Sequence, residues 1–322
     1  MSSVFRYDWG SRFEDVPPVP FDPVVLGTFS VREPWMEAHV YRGDVRADDG
    51  YRLPYRLWLP DRAPRAAVLL VHGVCDYAGA FDFICPYFAT LGYAVLAFDQ
   101  RGFGQTRTRG KWPGTRRLAR DVGDAASFLK RRVPSVPLFV VGESMGGALA
   151  VLAATRGHLN GVAGMALVAP GALGCAMRRF LFGLVVRTLK LFGARADLFV
   201  ERVNCDDLSA DAAIRLLADP LVLRRISPAL MGGLVQLGER VYDAAPEVDV
   251  PTLTLVGTRE DVSPLRCIRS LRQRFKGDAT LVEFENGPHL LLHWRERDRV
   301  LETIGNWIDA RLPARVESCA AR

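Results

Sequence analysis

The chain has 322 residues, of which 49% are hydrophobic and 24% are charged. These proportions are typical of a globular protein with a sizeable core, and they exclude a disordered chain, a collagen-like chain and a bundle of membrane helices. The net charge is +6, but the basic residues are interspersed with acidic ones and form no long block. Nucleic-acid binding is therefore not expected.

The six cysteines do not form a metal-binding or redox pattern. They stand at positions 75, 85, 175, 205, 267 and 319, with neither C-x-x-C pairs nor zinc-like spacing with histidine, so no metal is expected. The sequence does not open with the pattern of a cleavable signal peptide and contains no apolar stretch of the ~20 residues that span a bilayer. We expect reduced thiols and a cytoplasmic location.

In chain order, an irregular N-terminal extension comes first. Residues 1–36 are rich in proline, aspartate and aromatic residues and lack a clear period. Residues 37–59 alternate between apolar and polar residues on both sides of Asp49 and Gly50, and Asp-Gly is a favoured pair in tight hairpin turns. We therefore predict an antiparallel hairpin that starts the sheet.

Six short apolar runs follow, separated by helical patterns. They span residues 66–71, 93–98, 138–141, 162–168, 252–256 and 280–284. Continuous apolar strands that alternate with helices predict an α/β fold, with a mostly parallel sheet covered on both faces. Between residues 168 and 252 the chain is about twice as long as one crossover helix requires. The predicted organisation is a core of residues 37–172 and 248–315, an inserted helical cap at 173–247 and a tail at 316–322.

The run PLFVVGESMGGALA, residues 137–150, predicts a strand, a sharp turn and a helix with Ser144 at the apex. Gly142 and Gly146 flank the serine at two-residue spacing, which lets the neighbouring backbone pass closely and lifts the hydroxyl into a cleft. This is the pattern of a nucleophile elbow, so Ser144 is the predicted nucleophile. From the motif alone, a plain strand-to-helix turn with a small polar residue is the alternative.

A serine hydroxyl needs a histidine to take its proton, and His289 is the predicted base. It follows Asn286, Gly287 and Pro288 directly after the last predicted strand, at the carboxyl edge of the sheet where reacting groups collect in such folds. The alternative base is His293, which lies about one helical turn further along the chain.

The histidine in turn needs an acid, for which Asp261 is predicted. This residue lies just past the predicted strand 252–256 and so projects from the same sheet edge. Two alternatives stay open: Asp261 caps the following helix, or the adjacent Glu260 is the acid. The chain order Ser144, Asp261, His289 is the order of nucleophile, acid and base in enzymes with a nucleophile elbow.

Acyl transfer also needs N–H donors for the charge that develops on the carbonyl oxygen, each commonly worth ~3 kcal/mol. The predicted donors are the amide of Met145, at the start of the helix after Ser144, and the amide of Val74, which follows a strand end. Gly73 lets the backbone approach the substrate there. The preceding His72 is expected to anchor this loop by hydrogen bonds rather than to take part in the chemistry.

A second glycine-containing block, DQRGFG at residues 99–104, follows its own predicted strand. It has neither the lysine and Ser/Thr of a Walker loop nor the third glycine of a dinucleotide fingerprint. We interpret it as a scaffold turn, and no organic cofactor is expected.

These motifs occur together in order, and the chain resembles the monoacylglycerol lipase and lysophospholipase group of α/β-hydrolases, close to the serine aminopeptidase S33 type. The resemblance covers residues 37–312. It implies that Ser144, Asp261 and His289 form a catalytic triad, that the Val74 and Met145 amides form the oxyanion hole, and that the cap shapes an acyl-chain channel.

The sequence departs from this family pattern at two positions. Many members carry histidine where this chain has Glu143, and an acid follows the catalytic histidine where this chain has Leu290. We therefore expect a different substrate preference with the same chemistry. Gly73 and Glu143 are the predicted substrate-binding residues.

Residues 178–192 (RRFLFGLVVRTLKLF) open the predicted cap and are strongly apolar, with basic residues interspersed. One interpretation is a helix packed on the core, with arginine stems that extend to water. The other is a peripheral contact with a membrane surface, through which a lipid substrate would enter.

The predicted function is that of a serine hydrolase that cleaves carboxylic esters through an acyl-enzyme, with a monoacylglycerol or lysophospholipid as the substrate type that the resemblance implies. The expected partner is thus a small-molecule acyl ester or lipid. The alternatives are acyl transfer or thioester cleavage on the same triad, and a binding protein that kept the fold without turnover.

Overall fold

The structure, a computed structural model, describes residues 39–172, 198–199 and 205–313. The predicted extension 1–36, the tail 316–322 and the apolar segment 178–192 lie outside the described residues. In the described part of the chain, no helix is long and apolar enough to cross a membrane.

The chain enters the sheet through the predicted hairpin. Strands β1 (His39–Arg46) and β2 (Arg52–Leu59) pair antiparallel over their whole length. Gly50 in the connecting turn has a φ of 77°, a conformation that costs glycine little because it has no Cβ. The predicted hairpin and its Asp-Gly turn are confirmed.

All six predicted apolar runs are strands of the same sheet as the hairpin. They are β3 (Ala66–Val71), β4 (Tyr93–Phe98), β5 (Leu138–Glu143), β6 (Gly164–Val168), β9 (Thr252–Gly257) and β10 (Ala279–Phe284). The strand order is β1-β2-β4-β3-β5-β6-β9-β10, antiparallel up to β4 and parallel beyond it. Strands β3 to β6 and β9 are buried at every residue, which requires cover on both faces.

Helices provide this cover. On one face, α2 (Thr115–Arg132), α3 (Met145–Thr155), α5 (Pro228–Ala244) and α6 (Leu265–Arg274) contribute apolar side chains to one core cluster. On the other face, α1 (Cys85–Thr90) and α7 (Arg297–Asp309) contribute to a second cluster. The predicted α/β fold, with a mostly parallel sheet and helices on both faces, is confirmed.

The insertion between β6 and β9 contains a short ribbon and a helix. Strands β7 (Leu198–Phe199) and β8 (Arg225–Ile226) pair antiparallel, and α4 (Ala210–Ala218) lies between them in the chain. Helix α5 packs on the core, because its Leu230, Leu237 and Val241 lie in the same core cluster as α3. It provides the crossover that a parallel strand pair needs, and the cap bounds 173–247 stay a prediction.

Candidate active site

Ser144 occupies a strained turn between β5 and α3. Its φ of 51° and ψ of −113° lie where non-glycine residues are rarely found, and such a conformation costs about 1–3 kcal/mol unless its surroundings enforce it. The flanking glycines permit the turn. A Cβ on Gly142 would lie 2.6 Å from the Gly146 backbone, and a Cβ on Gly146 would lie 2.0 Å from the Val71 carbonyl oxygen. The strand, turn and helix predicted around Ser144 are confirmed.

This close approach predicts a large loss of stability for Gly146→Ala. The added methyl would overlap the Val71 carbonyl at the end of a buried strand, which cannot shift without breaking the sheet, so we expect a loss of about 3 kcal/mol of unfolding free energy. Urea denaturation followed by circular dichroism measures it. The control is Gly171→Ala, whose Cβ would lie 3.6 Å from the nearest atom, in the same neighbourhood. Equal stability of the two variants would contradict the close packing of the elbow.

His289 meets Ser144 across the carboxyl edge of the sheet. Its Nε2 lies 2.9 Å from Ser144 Oγ, within hydrogen-bond distance. The residue lies in the loop between β10 and α7, and this loop is joined to the one after β9 by a 3.0 Å hydrogen bond from the Arg259 amide to the Gly287 carbonyl. The structure thus brings together the two residues that the sequence placed 145 positions apart.

The carboxylate that contacts His289 belongs to Glu260, and the prediction of Asp261 is corrected. His289 Nδ1 lies 2.7 and 2.8 Å from the two Glu260 oxygens, and the Glu260 side chain is 0% exposed. One of these oxygens also accepts the amides of Val262 and Ser263, each at 2.8 Å, in the turn that leads to α6. The Glu260 side chain folds back over this turn and thereby contacts the imidazole, whereas Asp261 is exposed to solvent.

The Glu260 carboxylate also sets the protonation of His289. Burial by itself lowers the pKa of His289, but the hydrogen bond that Nδ1 donates to Glu260 and the negative charge of Glu260 raise it, with smaller contributions from the charges of Glu143 and Asp261. The net result is a pKa above the ordinary 6.5. A buried imidazole with this acceptor on Nδ1 is suited to take a proton from Ser144 at Nε2.

The loop after β3 passes close to Ser144. A Cβ on Gly73 would lie 3.5 Å from Ser144 Cβ, so the backbone of Gly73 and Val74 runs beside the hydroxyl. Met145 is the first residue of α3, and first-turn amides of a helix have no acceptor within the helix. Both predicted oxyanion donors are therefore carried by backbone next to Ser144, and the positive end of the α3 dipole adds to the field there.

His72 anchors this loop to the rest of the core. Its Nδ1 donates to the Gly73 carbonyl at 2.7 Å, and its Nε2 accepts the Gln100 amide at 3.0 Å. Complete burial lowers the pKa of His72, in keeping with a neutral ring that donates on one side and accepts on the other. The expected structural part of His72 is confirmed, and Gln100 shows that the block 99–104 serves as its scaffold.

Glu143 is not available to a substrate, which corrects its prediction as a substrate-binding residue. The side chain is 2% exposed, and one oxygen accepts the Leu292 amide at 3.1 Å. The other oxygen lies 3.2 Å from Nε2 of His293, whose ring is equally buried. A buried carboxylate needs hydrogen-bond partners to offset its lost hydration, and the Leu292 amide, from the segment that follows His289, is one of them. His293 thus faces Glu143, whereas His289 faces Ser144.

In the described part of the chain, no group of three His, Cys, Asp or Glu side chains is arranged to hold a metal ion. The functional groups gathered around Ser144 are the His289 imidazole, the Glu260 carboxylate and backbone amides. Such a set can perform nucleophilic acyl chemistry by proton transfer and hydrogen bonding.

Comparison with known proteins places this site in a family. Residues 62–298 match the model of the serine aminopeptidase S33 family. The chain belongs to the serine aminopeptidase S33 family. The match covers more than half of the chain and includes Ser144, Glu260 and His289.

Relatives in this family cover most of the chain. It is 28% identical over 271 residues to a monoacylglycerol lipase of Mycolicibacterium smegmatis, which covers 82% of this chain and 95% of the relative. It is 27% identical over 285 residues to a mouse monoglyceride lipase, which covers 84% of this chain and 91% of the relative. The predicted resemblance to monoacylglycerol lipase-like α/β-hydrolases is confirmed, and so is the enzyme class, a carboxylic ester hydrolase.

Solved structures show the same fold. A soluble variant of Saccharomyces cerevisiae monoglyceride lipase in complex with a substrate analogue superposes with a TM-score of 0.70 at 20% identity, over 92% of this chain and 100% of that one. A monoacylglycerol lipase of Paleococcus ferrophilus superposes with a TM-score of 0.67 at 23% identity, over 80% of this chain and 99% of that one. The S33 chain therefore has the α/β-hydrolase fold.

Proposed function

We propose that this S33 hydrolase cleaves carboxylic esters through a triad of Ser144, His289 and Glu260. His289 Nε2 takes the proton of Ser144 as Oγ attacks the ester carbonyl carbon, and Glu260 stabilises the imidazolium that forms. The carbon–oxygen bond to the alcohol then breaks, and His289 passes its proton to the departing oxygen. Water attacks the acyl-enzyme in the same manner, which releases the carboxylic acid and restores Ser144.

The amides of Val74 and Met145 are the proposed oxyanion donors in both steps. The carbonyl oxygen gains negative charge as it becomes tetrahedral, and fixed N–H groups that need no reorganisation stabilise it best. The 3.5 Å approach of a Gly73 Cβ position to Ser144 Cβ supports this assignment, because it brings the loop that carries Val74 beside the serine that precedes Met145.

The proposed substrate is a monoacylglycerol or a lysophospholipid. The monoacylglycerol assignment depends on the relatives, which are a monoacylglycerol lipase and a monoglyceride lipase that align over more than four fifths of this chain, and the lysophospholipid alternative depends on the family resemblance of the sequence. The cap is then expected to form the acyl-chain channel. Peripheral contact of residues 178–192 with a lipid surface and the cytoplasmic location stay predictions.

One observation carries the proposal. The hydroxyl of Ser144, whose backbone is strained, lies 2.9 Å from the His289 imidazole, and this imidazole lies 2.7 Å from the buried Glu260 carboxylate. A fluorophosphonate probe tests it, because phosphonylation requires an activated serine. We expect labelling of the wild-type protein at Ser144 and none of Ser144→Ala. Hydrolysis of p-nitrophenyl and glycerol esters graded by chain length then identifies the preferred acyl group. Folded wild-type protein that neither labels nor hydrolyses any of these esters would favour the binding-protein alternative.

A further inference from the structure

The loop that carries the proposed oxyanion donor Val74 is held by the cap as well as by the core. Asp76, two residues after Val74, forms a bidentate ion pair with Arg215 of α4. Nη1 and Nη2 of Arg215 lie 2.6 Å and 2.9 Å from the two Asp76 oxygens. Arg215 and Asp76 are each 8% exposed. A guanidinium in this arrangement fixes both the position and the plane of a carboxylate. Arg215 thus joins the cap to the loop beside Ser144.

The residues on either side of Asp76 are also bound by the cap. The Leu223 amide of the cap donates to the Cys75 carbonyl at 2.8 Å. The Tyr77 hydroxyl donates a hydrogen bond to the Asp219 carboxylate. Three consecutive loop residues, 75 to 77, therefore each have a partner between positions 215 and 223 of the cap.

The core also holds this loop, at its two ends and at Asp76, whose Oδ2 lies 3.9 Å from Nε2 of His293. His72 binds the Gly73 carbonyl at one end, and Asp99 accepts the Ala78 amide at 2.9 Å at the other. Between them Cys75 has a φ of 70°, which a residue with a Cβ maintains only when its surroundings over-determine it. The surroundings of Cys75 include the core cluster in which its side chain packs and the Leu223 amide of the cap, which donates to its carbonyl.

We propose that Arg215 is a positioning residue for the oxyanion hole: through Asp76 it holds loop 73–77 so that the Val74 amide points at the developing oxyanion. This inference depends on the proposed function, because it assigns Arg215 a part in the same site. The cap therefore supports the chemical step itself. Even an ester too small to reach the acyl-chain channel requires the cap to be seated on this loop.

The test compares Arg215→Met with the matched variant Arg224→Met on p-nitrophenyl acetate. Arg224 is a cap arginine whose guanidinium donates to the Leu217 carbonyl within the cap. Loss of one oxyanion donor commonly lowers kcat by 10²- to 10³-fold, so we expect a fall of about 100-fold for Arg215→Met. KM is expected to change by less than about threefold, because the lost interaction acts only in the transition state. Arg224→Met is expected to match the wild type.

Inhibition by phenylboronic acid distinguishes a positioning role of Arg215 from a merely structural one, because a merely structural role would leave the inhibition constant unchanged. The adduct of phenylboronic acid with a serine is tetrahedral and negatively charged, so the inhibition constant should rise in proportion to the fall in kcat, as for any analogue of the transition state. Arg215→Lys keeps the positive charge but cannot form the bidentate ion pair. We expect its kcat to be about tenfold higher than that of Arg215→Met.

Two further results separate the outcomes. If Arg215→Met does not fold, Tyr77→Phe takes its place, since it removes only the hydroxyl that binds Asp219 and keeps the ring and the Arg215 ion pair; we expect kcat to fall about tenfold at constant KM. Folded Arg215→Met or Tyr77→Phe with wild-type kcat and wild-type inhibition by phenylboronic acid would overturn the inference and leave the proposed function intact. Wild-type protein that fails to label at Ser144 would overturn both.

Discussion

Replacing Glu260 with glutamine is expected to lower kcat by about 10⁴-fold while the protein stays folded, because the amide cannot hold His289 in the correct tautomer or stabilise its positive charge. The substitution keeps the shape of a side chain that is 0% exposed and lies 2.7 Å from Nδ1. The hydrolysis rate of p-nitrophenyl butyrate at saturating substrate measures the effect. A melting temperature for each variant shows that the loss is not one of folding.

The neighbouring residue supplies the matched control. Asp261→Asn removes an exposed charge that contributes weakly to the field at His289, so we expect kcat within about threefold of the wild type. A large loss for Asp261→Asn and none for Glu260→Gln would restore Asp261 as the acid and contradict the geometry found here.

The same pair of variants differs in pH dependence. The active form of His289 is neutral, so kcat/KM rises with pH as the imidazole loses its proton, and the raised pKa of His289 places the midpoint above 6.5. Glu260→Gln removes the hydrogen-bonded negative charge that raises this pKa, so its midpoint is expected at lower pH than in the wild type. Asp261→Asn should shift the midpoint slightly in the same direction. A midpoint that does not move in Glu260→Gln would show that another group controls the profile.

The strands were predictable from sequence because burial on both faces leaves a continuous apolar run. β3 and β4 were predicted at their exact bounds, since each is a six-residue apolar segment between polar turns. The packing surface of α5 was not predictable in this way. Helix α5 is amphipathic like α4, and only its packing against α3 shows that it covers the sheet. A periodic pattern of apolar residues predicts that a helix is present, but it does not predict the surface against which that helix packs.

The site was predictable where one residue type at a fixed spacing is required. Ser144 follows from two glycines that no other residue could replace, and His289 follows from its place after the last strand. The prediction of Asp261 as the acid was wrong, because Glu260 and Asp261 are adjacent carboxylates in a turn whose shape the sequence does not specify. Glu260 has the extra methylene that lets it fold back onto the Val262 and Ser263 amides.

The ion pair between Asp76 and Arg215 had no signal in the sequence at all. The two residues lie 139 positions apart, and each alone is an ordinary charged residue in a loop or on a helix. Long-range pairs of this kind depend on how the insertion docks on the core, which is set by tertiary packing rather than by local pattern.

The largest expected effect belongs to His289, which the structure separates clearly from His293. His289→Gln removes the base that contacts Ser144, so we expect kcat to fall by about 10⁶-fold and fluorophosphonate labelling of Ser144 to be lost. His293→Gln keeps a hydrogen-bond donor near the Glu143 carboxylate, which lies 3.2 Å from its Nε2. We expect it to lower kcat by no more than about tenfold, through small shifts of the loop, and to lower the melting temperature.

The two histidine variants should therefore distinguish the catalytic histidine from the structural one. Glu143 precedes Ser144 directly, accepts the Leu292 amide and lies 3.2 Å from Nε2 of His293, so His293 contacts the residue before the nucleophile whereas His289 contacts the nucleophile itself. If His293→Gln abolished labelling and His289→Gln did not, the proton of Ser144 would have to leave by way of the buried side of the turn. The hydrogen bond between Nε2 of His289 and Ser144 Oγ, 2.9 Å long, would then have only a structural role. His293 would be the base, and His289 would be the residue that supports the turn.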